Sequence, residues 1–266
     1  MPLDAEPGVT QSLAGRTILA VFAHPDDESI SCGGTLARAA DAGARVALLC
    51  ASHGTLGSIS DPRLVAGGDL KAVRARELAA AAEILGIQEV ILLENEDGYL
   101  RWNAPKLDDD LAAALVRVDP DAVVTFDADG LYWHGDHIGL HERTTRAIEA
   151  LGTKAPPLYY VTLPPGAMRG VVEAARARGG DLADDAFWGI TPDAFGADAE
   201  APTFTVDVGI WADRKLAAIQ AHRTQVGSRS PFTWIDADDA ERWLGVERFR
   251  RAPVATSRPD VLERLA

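Results

Sequence analysis

Basic residues and cysteines are scarce in this sequence. Its 26 Lys and Arg residues stand against 40 Asp and Glu residues, which gives a formal net charge of −14. A chain this acidic is not expected to bind nucleic acid or an anionic membrane through its overall charge. The two cysteines, Cys32 and Cys50, cannot form a disulfide framework and fit a reducing compartment.

Long apolar runs and targeting signals are also missing. No apolar run approaches the roughly 18 residues that a membrane-spanning helix needs. The N-terminal segment MPLDAEPGVTQS has neither the basic nor the apolar region of a secretory signal peptide. We therefore expect a cytoplasmic protein without nucleic-acid or membrane partners. The composition does not indicate the oligomeric state, so a homo-oligomer is possible.

Short β-type runs alternate with helical patterns over residues 1–165 of the 266-residue chain. Such alternation indicates βαβ units and a parallel sheet. We predict an α/β fold: a single Rossmann-like, doubly wound domain, with residues 166–266 as a less regular C-terminal extension of the same domain. Strands are predicted at 16–23, 45–51, 89–93, 121–126, 158–163, 203–208 and 246–251, and helices at 33–42, 69–85, 106–118, 137–151, 169–185 and 211–225.

Two polar segments follow predicted strands, where ligands bind in an open parallel sheet. They are AHPDDE at 23–28 and FDADGLYWHGDHIGLH at 126–141. The sequence has no G-x-G-x-x-G after the first strand and no G-x-x-x-x-G-K-[ST], so nucleotide binding loses most of its support.

The first segment crowds three carboxylates, Asp26, Asp27 and Glu28, at the end of an apolar strand. This arrangement costs electrostatic energy unless a positive charge lies beside it. His24 and the histidines of the second segment could provide, together with one carboxylate, the three protein ligands typical of catalytic zinc. A neighbouring carboxylate would then be free to accept a proton from bound water. The histidines of the second segment are His134, His137 and His141.

Each of these residues also has a structural explanation. Asp27 or Glu28 could cap the next helix, and the three histidines could form one solvated helix face. The residues alone leave these alternatives open, although two such clusters at two strand ends favour a metal site.

The motifs "AHPDDE" and "HGDH" (134–137) resemble the LmbE / PIG-L superfamily of zinc-dependent N-acetylglucosaminyl deacetylases. That superfamily includes the deacetylases of mycothiol and bacillithiol synthesis. The helical segments RARELAAAAEILG (74–86) and RKLAAIQAHRTQ (214–225) support the resemblance, which covers most of the chain. It implies a small-molecule aminosugar or glycoconjugate substrate and a bound Zn²⁺, with Fe²⁺ or another divalent metal as alternatives.

The resemblance also implies a role for each matching residue. Asp26 matches the general base, His134 the residue that protonates the leaving amine or stabilises the oxyanion, Tyr132 an oxyanion-assisting tyrosine and Asp136 a residue that orients an imidazole. The metal ligands implied are His24, Asp27 and His137. The substrate-contacting residues implied are Arg74, Asp97 and, near the pocket entrance, His222.

One departure from the family pattern concerns the loop after the second strand. The family usually carries a Thr-x-Gly-Glu run there, whereas this sequence reads SHGTLG at 52–57 and lacks the Glu. The change puts the acceptor sugar in doubt more than the chemistry. His53 is expected to be a polar rim residue rather than a further metal ligand.

Two other functions compete with a deacetylase. Two histidines and one carboxylate are also the ligand triad of non-haem Fe(II) oxygenases, but such an enzyme needs no base at Asp26. A non-catalytic metal- or sugar-binding homologue is the third hypothesis. The presence of Asp26, His134 and Tyr132 together argues against it, because a binding protein does not need a general base.

Overall fold

Residues 12–184 and 186–266 are described by the structure, a computed structural model. Within these two ranges the chain forms seven strands and eight α-helices. The strands are β1 (Thr17–Phe22), β2 (Arg45–Ser52), β3 (Glu89–Asn95), β4 (Ala122–Phe126), β5 (Leu158–Thr162), β6 (Phe204–Asp207) and β7 (Val246–Arg251). The helices are α1 (Asp27–Asp41), α2 (Leu70–Leu85), α3 (Leu107–Val118), α4 (Gly130–Trp133), α5 (Gly135–Glu149), α6 (Ala167–Ala177), α7 (Ala212–Ala221) and α8 (Ala237–Leu244).

The strands form one sheet in the order β3-β2-β1-β4-β5-β7-β6. Neighbouring strands among β1 to β5 pair in parallel, whereas β7 is antiparallel to both β5 and β6. The predicted α/β fold with a mainly parallel sheet is therefore confirmed. The strand order reverses between β1 and β4, and the carboxyl ends of two such strands flank the crevice in which doubly wound proteins bind ligands.

The central strands are mostly apolar and are covered on both faces. Every residue of β4 and β5 is buried, and β2 is buried after its first residue. Helices α1, α2 and α7 pack against one another, and α3 packs against α5. Strand β3, at the edge of the sheet, stays half-buried. Continuous rather than alternating apolar sequence is the expected result of this burial.

Helix α1 begins six residues earlier than predicted and is broken at Cys32, whose φ of −148° and ψ of 26° are not helical. After the break, the backbone N–H groups of Gly34 and Thr35 donate to the carboxylate of Glu247, at 2.9 and 2.7 Å. Lys215 Nζ donates to the same carboxylate at 2.6 Å. Glu247, on β7, thus provides the acceptors that the second half of the helix lacks.

The C-terminal extension belongs to the same sheet through β6 and β7. Helix α6 ends at Ala177, well before the predicted end at position 185, which lies outside the described residues. Helix α7 is shorter than predicted, and α8 was not predicted. The N-terminal segment 1–11 also lies outside the described residues. Among residues 12–184 and 186–266, no helix combines the length and apolarity needed to cross a membrane.

Candidate active site

Both polar segments reach the crevice between β1 and β4 through unusual backbone conformations. Asp26 has a φ of 118°, and Leu131 and Trp133 have φ values of 67° and 63°. Such values are uncommon for residues with a Cβ atom, and they concentrate at functional sites. The backbone of Asp26 is fixed because its N–H donates to Glu28 Oε2 at 3.1 Å.

His24, just after β1, is surrounded by three carboxylates. Its Nε2 lies 3.0 Å from Asp97 Oδ1 and 3.2 Å from Asp136 Oδ2. Burial would lower the pKa of His24, but its hydrogen bonds to Asp136, Asp27 and Asp97 raise this pKa well above the ordinary value. The site therefore favours positive charge. In the neutral imidazole, an Nε2–H bonded to these carboxylates leaves the lone pair on Nδ1.

His137, in the first turn of α5, presents its other nitrogen. Its Nδ1 lies 3.1 Å from the carbonyl oxygen of Gly130, so Nδ1 carries the proton that is donated. The buried Nε2 makes no well-aligned hydrogen bond in the described chain, although Asp27 Oδ1 lies 3.2 Å away. The ring stacks on Phe126, with the ring centroids 3.9 Å apart. The lone pair of Nε2 thus points in a fixed direction, and none of the described residues places a hydrogen-bond donor beside it.

Asp27 joins these two imidazoles. Its Oδ2 lies 3.3 Å from His24 Nδ1, and its Oδ1 lies 3.2 Å from His137 Nε2. Burial would raise the pKa of Asp27, but His137 and His24 lower it well below the ordinary value. When both imidazoles are neutral, as metal ligands must be, their lone pairs and the ionised carboxylate of Asp27 repel one another unless a cation lies among them. The donor set and the orphaned Nε2 of His137 therefore fit a divalent metal ion.

Two other groups of side chains have ligand atoms within 4.8 Å of one another. They are His24 with His134 and His137, and His24 with Asp97 and Asp136. Asp136 accepts the backbone N–H groups of Gly98 and Leu100, at 2.7 and 3.0 Å, which fixes it as a partner for His24 Nε2. The ligand set His24, Asp27 and His137 stays a prediction.

Asp26 faces the cavity beside these residues. Burial, together with the negative charges of Asp27 and Glu28, raises the pKa of Asp26 to about 7, against the opposing effects of His222 and Arg74. A carboxyl group with a pKa near neutrality can both accept and return a proton.

His134 and Tyr132 lie on the other side of the site. Burial and the neighbouring His137 and His24 lower the pKa of His134 to about 4. Its Nδ1 accepts the backbone N–H of Asp136 at 3.2 Å, so the proton of the neutral ring is on Nε2. Burial raises the pKa of Tyr132 well above its ordinary value. Both side chains are therefore neutral hydrogen-bond donors at neutral pH.

His24, Asp26, Asp27, Tyr132 and His134 line a cavity of about 560 Å³. One wall is polar, with Arg74 and Asp97 beside the residues described above. Arg74 is buried, and its Nε and Nη2 have no hydrogen-bond partner in the described chain. Asp97 is already engaged, because it accepts the backbone N–H of Leu56 at 2.6 Å and contacts His24. Arg74 thus places a buried guanidinium group with incomplete hydrogen bonding beside the cavity.

The cavity also has an apolar wall, which was not predicted. Trp188, Ile190 and Phe195 come from the irregular segment between α6 and β6. Sequence patterns did not identify them because apolar residues without periodicity indicate neither an element nor a site. Ile30 and Leu131 complete this wall.

His222 does not lie at the cavity entrance, where the resemblance put it. It is fully buried behind the cavity wall, and its Nε2 lies 2.9 Å from Glu28 Oε1. Two further histidines lie apart from the metal candidates: His53 pairs with Glu94 at 2.9 Å, and His141 Nδ1 contacts the carbonyl oxygen of Phe126 at 2.9 Å.

Comparison with known proteins finds relatives over most of this chain. The family model PIG-L, described as GlcNAc-PI de-N-acetylase, matches residues 19–148. The 1D-myo-inositol 2-acetamido-2-deoxy-alpha-D-glucopyranoside deacetylase of Acidothermus cellulolyticus is 34% identical over 259 residues, covering 88% of each chain.

Solved structures share the fold at low sequence identity. The N,N'-diacetylchitobiose deacetylase of Pyrococcus horikoshii has a TM-score of 0.61 at 20% identity, covering 90% of this chain and 84% of that one. The 4-carboxy-2-hydroxymuconate hydratase of Pseudomonas putida KT2440 has a TM-score of 0.61 at 22% identity, covering 92% and 98%. The matches of sequence over nearly the whole length show that this chain belongs to the PIG-L family, in agreement with the resemblance of its motifs.

Proposed function

We propose that this protein is a divalent-metal-dependent hydrolase that removes the acetyl group from an N-acetylglucosaminide. One observation carries the proposal: the lone pairs of His24 Nδ1 and His137 Nε2 converge on the ionised carboxylate of Asp27 at the wall of a large cavity. Two nitrogens and one oxygen are the ligands of many catalytic zinc sites, so Zn²⁺ is the metal that we expect. The deacetylase names of the sequence relatives support the reaction.

A metal ion held there would polarise the amide carbonyl and acidify a water molecule. Asp26 lies beside these ligands and takes the proton from the attacking water. Burial and the charges of Asp27 and Glu28 raise the pKa of Asp26, and the protonated carboxyl group can return that proton to the amine as the C–N bond breaks. One carboxyl group then serves as base and as acid.

His134 and Tyr132 would stabilise the oxyanion that develops on the carbonyl oxygen. Each is a neutral donor in a buried place, where hydrogen bonds to developing charge are strongest. The low pKa of His134 favours this role over protonation of the amine, because an imidazolium with a pKa of about 4 is scarce at neutral pH.

Arg74 would bind the sugar. Its side chain lines the cavity, and we expect its guanidinium group to donate to ring hydroxyls. Asp97 would act mainly through His24, because its carboxylate is engaged with that imidazole and with the backbone of Leu56. We therefore give Asp97 a positioning role as well as the sugar contact expected from the resemblance.

The test is acetate release from a panel of N-acetylglucosaminides. Protein stripped of metal and reloaded with Zn²⁺, Fe²⁺, Co²⁺ or Mn²⁺ should regain activity with at least one ion. Failure of every metal-loaded form on every glycoside would overturn the proposal. Oxygen consumption with Fe²⁺ and a 2-oxo acid would point to an oxygenase, and glycoside binding without acetate release to a binding protein.

A further inference from the structure

The loop after β2 forms part of the active-site cavity and packs directly on Arg74. It is also the segment in which the sequence departs from the family pattern, with SHGTLG at 52–57. Four residues of the loop line the cavity: Gly54, Leu56, Gly57 and Ser58. Because Arg74 lines the same cavity, the position of this loop affects how the guanidinium group meets a ligand.

Two glycines let the backbone of the loop lie against the guanidinium group of Arg74. A Cβ atom at Gly54 would lie only 2.2 Å from Arg74 Nη1, and a Cβ atom at Gly57 only 2.6 Å from Arg74 Nη2. Gly54 also has a φ of 64°, in the left-handed region that favours glycine. Arg74 is only 2% exposed, so its guanidinium group has little room to move away. A shift of the loop must therefore shift Arg74.

The start of the loop is held by His53. Its side chain is buried, and its Nε2 lies 2.9 Å from Oε1 of Glu94 on β3. Because an ionised carboxylate can only accept, Nε2 carries the proton and donates it. Nδ1 lies 3.4 Å from the carbonyl oxygen of Lys71, in the first turn of α2. His53 thus connects the loop to β3 and to the helix that carries Arg74.

Glu94 is bound by the same helix in turn. Lys71 Nζ donates to Glu94 Oε2 at 3.1 Å. The hydrogen bonds from His53 and Lys71 lower the pKa of Glu94 below its ordinary value, so the carboxylate stays ionised at neutral pH. Lys71 lies one turn before Arg74 on α2. The connection from His53 through Glu94 and Lys71 therefore ends close to the arginine that the loop contacts.

Other hydrogen bonds hold the later part of the loop. Leu56 N–H donates to Asp97 Oδ2 at 2.6 Å, and Gln225 Nε2 donates to the carbonyl oxygen of Ser58 at 3.0 Å. Loss of His53 leaves these bonds in place. We therefore expect it to displace Gly54, and with it Arg74, rather than to release the whole loop.

We propose that His53 is a positioning residue for substrate binding: through Gly54, it holds the guanidinium group of Arg74 where that group meets the sugar. The inference rests on the proposed function, in which Arg74 binds the sugar. Among the described residues, His53 is not one of those that line the cavity, so it acts through its neighbours. Its effect is on affinity, because the group that it positions takes no part in breaking the amide bond.

Kinetics of acetate release from methyl N-acetylglucosaminide by the metal-loaded protein test the proposal. We expect His53→Ala to raise KM about fivefold at nearly unchanged kcat, the effect of about one lost hydrogen bond. Glu94→Ala removes the acceptor from an exposed side chain, so it should raise KM similarly without preventing folding. His53→Gln, whose Nε2 can still donate to Glu94, should recover most of the affinity. Unchanged KM in both alanine variants, or a fall in kcat alone, would overturn the proposal.

Combination with Arg74→Met distinguishes positioning from a general structural role. If His53 acts through Arg74, His53→Ala should raise KM no further once Arg74 has been replaced, whereas independent effects would multiply. Multiplied effects would therefore contradict the assignment. Glu83→Ala, at an exposed position of α2, is the matched control for Glu94→Ala and should change neither constant.

The proposed function and this inference fail in different ways. Absence of acetate release by the wild type would count against the proposed function alone. The Kd of methyl N-acetylglucosaminide, measured by calorimetry on the same variants, then takes the place of KM with the same expected ratios. A wild type that neither releases acetate nor binds this glycoside would overturn both.

Discussion

His222 Nε2 lies 2.9 Å from Glu28 Oε1, and both side chains are fully buried. This pair connects the end of α7 to the HPDDE motif 194 residues earlier. The other oxygen of Glu28 accepts the backbone N–H of Asp26, so the pair also fixes the proposed base.

Loss of His222 should therefore destabilise the fold. His222→Ala leaves a buried carboxylate without its partner, and we expect a loss of about 3–5 kcal/mol in the free energy of unfolding. His222→Gln, which can still donate a hydrogen bond, should lose less. Urea unfolding measures both; equal stability of His222→Ala and wild type would contradict a stabilising pair.

The same pair should make stability depend on pH. Burial would lower the pKa of His222, but the charges of Glu28 and Asp26 and the bond to Glu28 raise it above its ordinary value of 6.5. A raised folded-state pKa contributes stability fully below the unfolded pKa and loses it as pH rises through the folded value. The stability difference between wild type and His222→Gln should therefore be greatest below about pH 6.5 and should shrink as the pH rises above it; a constant difference would show that His222 does not titrate.

Replacement of the proposed base should slow the chemical step without affecting metal binding. Asp26→Asn is expected to lower kcat by a factor of about 10²–10⁴, the contribution of a positioned general base, with metal content unchanged. Steady-state kinetics and metal analysis of the same sample check this. Asp109→Asn, at an exposed position of α3, is the control. Full activity of Asp26→Asn would refute the mechanism even if the substrate is correct.

Metal binding should stabilise the protein through His137. A ligand at 100 times its Kd adds about 2.7 kcal/mol to the folded state, which thermal melting with and without Zn²⁺ detects. His137→Phe keeps an aromatic ring against Phe126 but lacks Nε2, so this stabilisation should disappear. His141→Phe, whose ring lies outside the site, should retain it. A Zn²⁺ effect that survives His137→Phe would exclude His137 as a ligand.

Arg74 should affect substrate binding more than the chemical step. Arg74→Met keeps much of the buried volume but removes the unpartnered donors, and we expect kcat/KM to fall about 10- to 100-fold, mainly through KM. Arg76→Met, two residues along α2 and exposed, should leave both constants unchanged. A fall in kcat with unchanged KM would instead place Arg74 in the reaction.

The sequence predicted those parts of the structure that are determined by residues close together in the chain. The continuous apolar runs of β1, β2, β4 and β5 identified the sheet, and the strand ends located His24 and His137. The start of α1 could not be predicted, because the break at Cys32 is stabilised by Glu247, which lies on a strand distant in sequence. The burial of His222 likewise depends on Glu28, with which it shares no local pattern.

The cavity walls were predicted least well. Trp188 and Phe195 lie in a segment without periodicity, and nothing local distinguishes a residue that borders a cavity from one in an ordinary loop. Their positions result from long-range packing of the C-terminal extension on the parallel sheet.

The support that Glu247 gives to α1 has a consequence for biosynthesis. The carboxylate lies 213 residues after Gly34, close to the end of the chain. At a translation rate of 5–20 residues per second, about 10 to 40 s separate the synthesis of the two positions. During most of that interval the HPDDE segment has neither His222 nor the helix support from Glu247, so the proposed cation site is completed only after the chain has been made as far as β7. We therefore expect metal binding to follow the synthesis of β7.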